Sequence, residues 1–394
     1  MTEEDFRTIL KSARQTSQKD LARIRRLSED DEHGLRNAID RYLKSHDVAL
    51  TALAELAPKF GYQDQYDALL QLSRRISLYE PSAEFARLLY KEKPKGGFRV
   101  VFDFGFENKV RQRIVKNCLS AIYQPQPFAF GVKGRGLTSV KGVIQKAFDN
   151  GFRWATVCDV RRCYPSINPD GAKECLPIPH RVTENVILSR GYNTHSTMTA
   201  RLNTHMRGIS PSGEAQQGIA TGSSVSPLVV SYLLENLLLP FISDDVKIYV
   251  YADDFIILTK TRREAESTAT RIQDALEMAT AGPLQRRKNH PRRIYDGFWF
   301  CGRHFRQLRE KGWSSKMIGV TLPTSKLHRY DTLLSDSLAR AHELDENDII
   351  RLQNRIDGFV NAYPDIPALR KVWHGRATRQ INEIAGQSFE TNSS

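Results

Sequence analysis

The sequence has no run of 18 apolar residues, the minimum that would cross a bilayer as a helix. Its start lacks the charged, apolar and small-residue regions of a secretory signal. The expectation is a soluble, cytoplasmic protein with no membrane partner. Cysteine is scarce and irregularly spaced. Cys118, Cys158, Cys163, Cys175 and Cys301 form no C-x-x-C pair and are odd in number, which supports neither a disulfide framework nor a zinc site. The ten histidines are scattered, and structural or surface roles suit them better than metal ligation. No G-K-[ST] follows the glycines at 131, 134 and 136, so a P-loop is excluded and a Rossmann fingerprint is not met.

Cationic residues, by contrast, are plentiful. Lys and Arg number 58 against 45 Asp and Glu, a net charge of +13. That excess calls for an anionic partner, nucleic acid before membrane. Hydrophobic residues make up 40% of 394, enough for a real core in two or three domains or one large multi-lobed enzyme.

The most informative stretch is VKIYVYADDFIIL, 246–258. Two β-branched apolar runs flank Tyr251-Ala252-Asp253-Asp254, the pattern of a tight hairpin. Adjacent carboxylates at a hairpin tip repel each other. They are either solvated turn aspartates or a pair neutralised by a divalent cation. A second strand pattern, in WATVCDVRRCYPSI (154–167), ends at Asp159; an Asp there caps a turn or ligates an ion.

Around these strands the periodicity predicts helices over most of 1–90, with SEDDEHG (28–34) as a break capped by Ser28. The expected runs are Leu35–Leu56 and Tyr66–Ile76. The basic stretch KSARQTSQKDLARIRR (11–26) is a solvated face or a surface for RNA. KEKPKGGFRVVFDF (91–104) reads as a basic turn entering a strand, with Lys93, Lys95 and Arg99 able to reach an anion. Residues 107–123 form an amphipathic helix with a basic face. AFGVKGRGL (129–137), carrying Lys133 and Arg135, is a flexible basic loop suited to a sugar-phosphate backbone. Residues 168–217 read as helix plus exposed loop; His180, His195 and His205 lack ligand spacing. QQGIATGSSVSPLVVSYLLENLLL (216–239) is a small-residue loop before an apolar helix. Beyond the hairpin come a charged helix (262–281), a basic loop (283–293), a strand–turn–strand (297–305), a helical region (326–385) and a frayed end at ETNSS.

Taken together, the pieces resemble a reverse transcriptase from about Lys91 to Gly302. KPKGGFR is similar to the fingers segment, CDVRRCYPSI to the palm motif with the first catalytic aspartate, and GIATGSSVSP to the glycine-serine motif beside template and nucleotide. YADD resembles the signature tip, LQRRKN the lysine motif, and FWFCG the primer-grip hairpin. Their order matches as well as their composition.

The resemblance implies an α+β right-hand polymerase with an antiparallel palm sheet. Its expected parts are a helical N-terminal extension (1–90), fingers and palm (91–319) and a helical thumb (320–394). It implies catalysis with two Mg²⁺ ions, Mn²⁺ being able to substitute. Asp159 and Asp253 would bridge the ions, Asp254 would support them, and the Val160 carbonyl would complete one site. Lys95 and Arg99, with Lys93 as a second lysine, would hold the triphosphate, and Lys288 would neutralise the leaving pyrophosphate. Tyr164, five residues after Asp159, would lie under the sugar and select dNTPs. Thr221, Gly222 and Ser223 would line the cleft; Lys133, Arg135, Arg286 and Arg287 would contact nucleic acid. The implied partners are a structured non-coding RNA template and a DNA product, and a homo-oligomer is compatible with the sequence.

The extension and thumb resemble bacterial enzymes related to group II intron and retron reverse transcriptases. Two retron signatures are replaced, by SVKGVIQ (139–145) and MIG (317–319), and no ribonuclease H carboxylate set follows residue 320. The better resemblance is to standalone defence-associated enzymes of the "unknown group", which copy a cognate RNA. A template-independent or protein-primed DNA synthase, a retron-type enzyme and a non-catalytic RNA-binding scaffold remain open alternatives.

Overall fold

The computed structural model describes residues 1–27, 31–92, 98–132, 134–196, 215–308, 317–363, 366 and 369–392. The protein is mixed α+β, as expected. Its longer helices are α1 (Glu3–Leu27), α2 (Glu32–Leu43), α3 (His46–Leu56), α4 (Tyr66–Arg75), α5 (Phe106–Ile122), α6 (Leu137–Asp149), α7 (Ser226–Leu238), α8 (Arg262–Glu277), α9 (Thr324–Ala339), α10 (Glu346–Asn361) and α11 (Gly375–Asn392). The strands are β1 (Ala86–Glu92), β2 (Phe98–Asp103), β3 (Ala129–Phe130), β4 (Trp154–Asp159), β5 (Thr194–Ser196), β6 (Val246–Tyr251), β7 (Asp254–Thr259), β8 (Arg292–Arg293), β9 (Phe298–Phe300), β10 (Arg303–Gln307) and β11 (Ile318–Thr321). Two compact units result, one of 1–127, 159–241 and 270–287, the other of 128–158, 242–269 and 288–394. Among the described residues no helix is long and apolar enough to cross a membrane.

The first unit opens with α1 burying Phe6, Leu10, Ala13, Ser17, Asp20 and Ile24, one stripe at helical spacing. The Gly34 amide donates to Asp31 at 2.7 Å and starts α2; Ser28, the expected cap, lies outside the described residues. The single run expected over Leu35–Leu56 is instead two helices. Ser45 is extended, and its hydroxyl accepts from the Val48 amide at 3.4 Å, so the chain turns and restarts as α3. The helical region also ends before residue 90: β1 begins at Ala86 and pairs antiparallel with β2. Its apolar alternation packs Leu88 against Phe102, Phe104 and Tyr192.

Helix α5 departs from the expected basic face. Arg111 is buried and donates to the Glu80 carbonyl at 2.5 Å, and burial lowers its pKa. Arg113 is tied to Glu55 at 3.1 Å, and Lys109 sits over the Phe60 ring. These cations hold α5 in its own unit. The 168–196 part of the expected mixed segment is largely buried, through Val182, Val186, Ile187 and Leu188, while 197–214, including His205, lies outside the described residues.

The second unit is built on a five-stranded sheet in the order β3-β6-β7-β4-β8. β6 and β7 form an antiparallel hairpin from Val246↔Thr259 to Tyr251↔Asp254. The Arg153 amide, just before β4, donates to the Thr259 carbonyl at the end of β7 at 2.9 Å, so β4 runs antiparallel to β7. The two-residue edge strand β3 runs parallel to β6. Phe255, Ile256, Ile257 and Leu258 are all buried, the run of a strand covered on both faces. Each contributes about 1.5–3 kcal/mol of burial, which anchors the hairpin behind its polar tip. Val140, Ile144 and Phe148 of α6 cover the sheet together with Phe298 and Phe305. A second sheet has the order β11-β10-β9. Helices α9, α10 and α11 close on Leu334, Leu352, Ile356, Phe359, Trp373 and Ile384. The ETNSS end is helical through Asn392, since α11 continues to that residue.

Candidate active site

In the second unit, Ala252 and Asp253 form the two-residue loop of the β6–β7 hairpin. Ala252 takes a φ of 54°, the left-handed backbone such loops require. For a residue with a Cβ this costs about 1–3 kcal/mol, and the buried strands behind it supply the constraint. Asp253 and Asp254 are both half-buried. The Cys301 thiol lies 3.9 Å from Asp254 Oδ2. Burial, then the Asp254 carboxylate, pushes the Cys301 pKa up, so sulfur keeps its proton and donates. Cys301 and Gly302, with φ of 47° and 72°, form the β9–β10 turn, which delivers the thiol to that carboxylate. Gly131, φ 81°, would bring a Cβ to 3.1 Å from the Tyr251 ring, so the backbone at Gly131 seats closely against the hairpin. Arg135 is half-buried there, its carbonyl accepting from the Gly131 amide at 2.8 Å; Lys133 lies outside the described residues. Lys288 is exposed.

In the first unit, Asp159 pairs with Arg287 at 2.9 Å, and the Arg287 amide donates to the Asp159 carbonyl at 2.8 Å. The Arg161 amide donates to the Gln285 carbonyl at 2.7 Å. These two bonds flank the Val160↔Arg286 bridge, and neither uses the Val160 carbonyl. Arg162, φ 46°, then turns the chain into a short helical turn at Cys163–Ser166. Across the described residues, Arg162, Ala252 and Cys301 are the non-glycine residues with positive φ, and each lies in one of the motif segments. Such strain concentrates at functional sites.

The half-buried Tyr164 carbonyl accepts from the Ile219 amide at 3.0 Å. Gly218, φ 62°, lies so near that a Cβ would stand 2.0 Å from the same carbonyl oxygen. Thr221 accepts at its carbonyl from the Phe102 amide at 2.8 Å. Gly222, φ 101°, would carry a Cβ to 2.5 Å from the Phe102 carbonyl. Ser223 is buried, its hydroxyl accepting from the Val225 amide at 3.2 Å ahead of α7. Tyr164, the 218–223 loop and β2 are therefore one packed group. Arg99 is exposed on β2 directly across from the exposed Lys91. Like charges facing across a ladder destabilise it, so the pair favours an anion. Lys93 and Lys95 lie outside the described residues.

Sequence reasoning missed Lys91, the Arg287–Asp159 pair and Cys301. Lys91 was within sight as the other strand of the basic hairpin. The other two have no sequence signal, because Arg287 sits in a run of cations and Cys301 follows an apolar strand as an ordinary turn residue.

The donors available are carboxylates and a backbone carbonyl, hard oxygens that suit Mg²⁺. Among the described residues no group of three or more His, Cys, Asp or Glu is gathered to hold an ion. Mg²⁺ is commonly held by one or two carboxylates together with substrate phosphates and water, and the adjacent, half-buried Asp253 and Asp254 fit a site of that kind.

No curated protein matches this chain. Solved structures similar to this chain include two polymerases. An apo telomerase from Candida tropicalis, truncated from its C-terminal domain, is 14% identical over 62% of this chain and 56% of its own, with a TM-score of 0.39. The Sicinivirus 3Dpol RNA-dependent RNA polymerase is 12% identical over 80% of this chain and 65% of its own, with a TM-score of 0.40. The chain thus spans less than two thirds of either. Residues 91–281, which hold the hairpin, Asp159, Tyr164 and the glycine-serine loop, match the family model "Reverse transcriptase (RNA-dependent DNA polymerase)", and the chain carries a reverse transcriptase domain.

Proposed function

We propose that this chain is an RNA-directed DNA polymerase that extends a primer with dNTPs by two-metal nucleotidyl transfer. The observation that carries the reading is the family match over 91–281, with an aspartate-tipped hairpin inside it. Asp159 and Asp253 would hold the two ions, Asp254 would support one, and the Val160 carbonyl would complete the nucleotide-side set. Support comes from the family match, whose span holds both Asp159 and the Asp253–Asp254 tip. When bound, Mg²⁺ or Mn²⁺ activates the primer 3′-hydroxyl and neutralises the leaving pyrophosphate. The chain does the rest. Lys95 and Arg99 bind the triphosphate, with Lys93 as a second candidate for the lysine and Lys91 across from Arg99; Lys288 neutralises or protonates the pyrophosphate. Thr221, Gly222 and Ser223 shape the template–nucleotide cleft. Lys133, Arg135 and Arg286 contact the sugar-phosphate backbone. The parts are an N-terminal extension that is helical up to β1 at Ala86, fingers and palm (91–319) and thumb (320–394).

Arg287 has a second role in this account. Its guanidinium holds the Asp159 carboxylate and competes with a cation for it. Arg287→Ala is expected to lower the Mg²⁺ concentration that gives half-maximal thermal stabilisation by up to about fivefold, the scale of an exposed pair. An unchanged midpoint with weaker nucleic-acid binding would leave Arg287 as a phosphate contact alone.

Tyr164 stands under the sugar as the gate against a 2′-hydroxyl. Tyr164→Ala is expected to raise the rNTP-to-dNTP ratio of kcat/KM at least about tenfold, or 1.4 kcal/mol of discrimination. Single-nucleotide incorporation kinetics measure it, and an unchanged ratio removes the assignment.

We further propose that the template is a cognate structured non-coding RNA and that the setting is bacterial antiphage defence. The replaced retron signatures at 139–145 and 317–319 support a standalone enzyme over a retron. Sequencing the nucleic acids that co-purify with wild type and with Asp253→Ala/Asp254→Ala tests the template. One defined RNA in both, with complementary DNA only in wild type, is expected. DNA without a complement in the bound RNA would favour untemplated synthesis.

A further inference from the structure

Helix α1 has a charge distribution that packing does not explain. Its buried stripe is Phe6, Leu10, Ala13, Ser17, Asp20 and Ile24. Its acids Glu3, Glu4 and Asp5 are confined to the first turn, and Arg7 pairs with Glu3. From residue 6 to residue 27 the sole acid is Asp20, which is buried and bonded by Arg41 at 3.2 Å. Away from the stripe, Lys11, Lys19, Arg23 and Arg26 lie within about 120° of one another round the helix, Arg14 and Arg25 lie on the opposite flank, and all six are exposed. Among the described residues, Lys11, Arg14, Lys19, Arg23 and Arg26 enter no ion pair with the chain. The face runs about 22 Å from residue 11 to residue 26 at 1.5 Å per residue.

We infer that this face of α1 is a docking surface for the backbone of double-stranded RNA. The inference rests on the polymerase reading for the presence of a structured RNA, and adds where the RNA is held. Lys11, Lys19, Arg23 and Arg26, four like charges on one flank of the helix, repel one another unless an anion lies across them. A nucleic-acid backbone supplies a row of phosphates at matching scale.

The residues between the cations choose among polyanions. Ser12, Gln15 and Gln18 are exposed and can hydrogen-bond phosphate and 2′-hydroxyl oxygens. No aromatic residue occurs from Lys11 to Leu27, so the stacking platform that holds unpaired bases is missing. No large hydrophobic residue from 11 to 27 is exposed, so the apolar half of a membrane-surface helix is missing too. Paired stems, read by shape and backbone, are what remains.

The test is fluorescence anisotropy of the full chain with a labelled RNA stem-loop across a salt series. Wild type is compared with Lys11→Gln/Lys19→Gln/Arg23→Gln/Arg26→Gln and with the charge-conserving Arg23→Lys/Arg26→Lys. The neutralised variant is expected to bind at least about tenfold more weakly, with a log–log salt slope shallower by about 3.6. The lysine variant is expected to stay near wild type, and primer extension on a short linear RNA–DNA primer–template to be unchanged in both. Equal affinity and slope in wild type and the neutralised variant would overturn the inference, as would binding to phosphatidylserine vesicles with none to the stem-loop. Loss of stem-loop binding in the neutralised variant without primer extension even in wild type would uphold this surface and sink the polymerase reading instead.

Discussion

Replacing Asp253 by Asn is expected to lower nucleotidyl transfer at least about 10³-fold, or roughly 4 kcal/mol of transition-state stabilisation, while the protein stays folded. Asn keeps the shape of the side chain and removes the charge that an ion needs. The hairpin itself rests on Phe255, Ile256, Ile257 and Leu258, all buried, so the tip contributes little to stability. Steady-state primer extension beside thermal unfolding separates the two effects. The same change at Asp254 is expected to cost less, because this carboxylate is already engaged by the Cys301 thiol and stands further from the bridging role. Equal losses at both positions would contradict that division of labour. A wild-type rate for Asp253→Asn would remove the hairpin from catalysis altogether.

The second large effect is expected at Gly218. Its φ of 62° already disfavours any side chain, and a Cβ there would sit 2.0 Å from the Tyr164 carbonyl oxygen, which is backbone and cannot swing aside. Gly218→Ala is expected to destabilise the first unit by about 3 kcal/mol, the sum of left-handed strain and a forced backbone shift. It must also move the loop from which the Ile219 amide donates to that same carbonyl, and with it Tyr164 and Thr221. Denaturant unfolding followed by circular dichroism measures the first consequence. The second predicts a rise in ribonucleotide incorporation in whatever fraction remains folded. An alanine variant with unchanged stability would mean that the loop does not seat on Tyr164.

These two residues differ in how far the sequence alone revealed them. The hairpin was legible because its signal is local: two β-branched runs and a polar break fix strands, turn and register within 13 residues. The strand ending at Asp159 and the amphipathic pattern of α1 were legible for the same reason. Gly218 was visible only as one small residue among several, since the demand for glycine comes from a carbonyl 54 residues earlier in the chain. Arg111 shows the opposite failure. Its helical spacing beside Lys109 and Arg113 suggested a solvated basic face, yet the Glu80 carbonyl and its burial against neighbouring elements decided otherwise. Ser45 split a continuous apolar pattern because capping chemistry outweighed periodicity. What tertiary neighbours impose, as with Arg287 on Asp159, has no trace in spacing or composition.

The most direct measurement is primer extension on one RNA template of defined mixed sequence, with dNTPs and Mg²⁺, sequencing the product for wild type and Asp253→Asn. The account predicts DNA complementary to the template from wild type and no extension from Asp253→Asn. Extension by wild type with no complementarity to the template, or equal extension by Asp253→Asn, would contradict it.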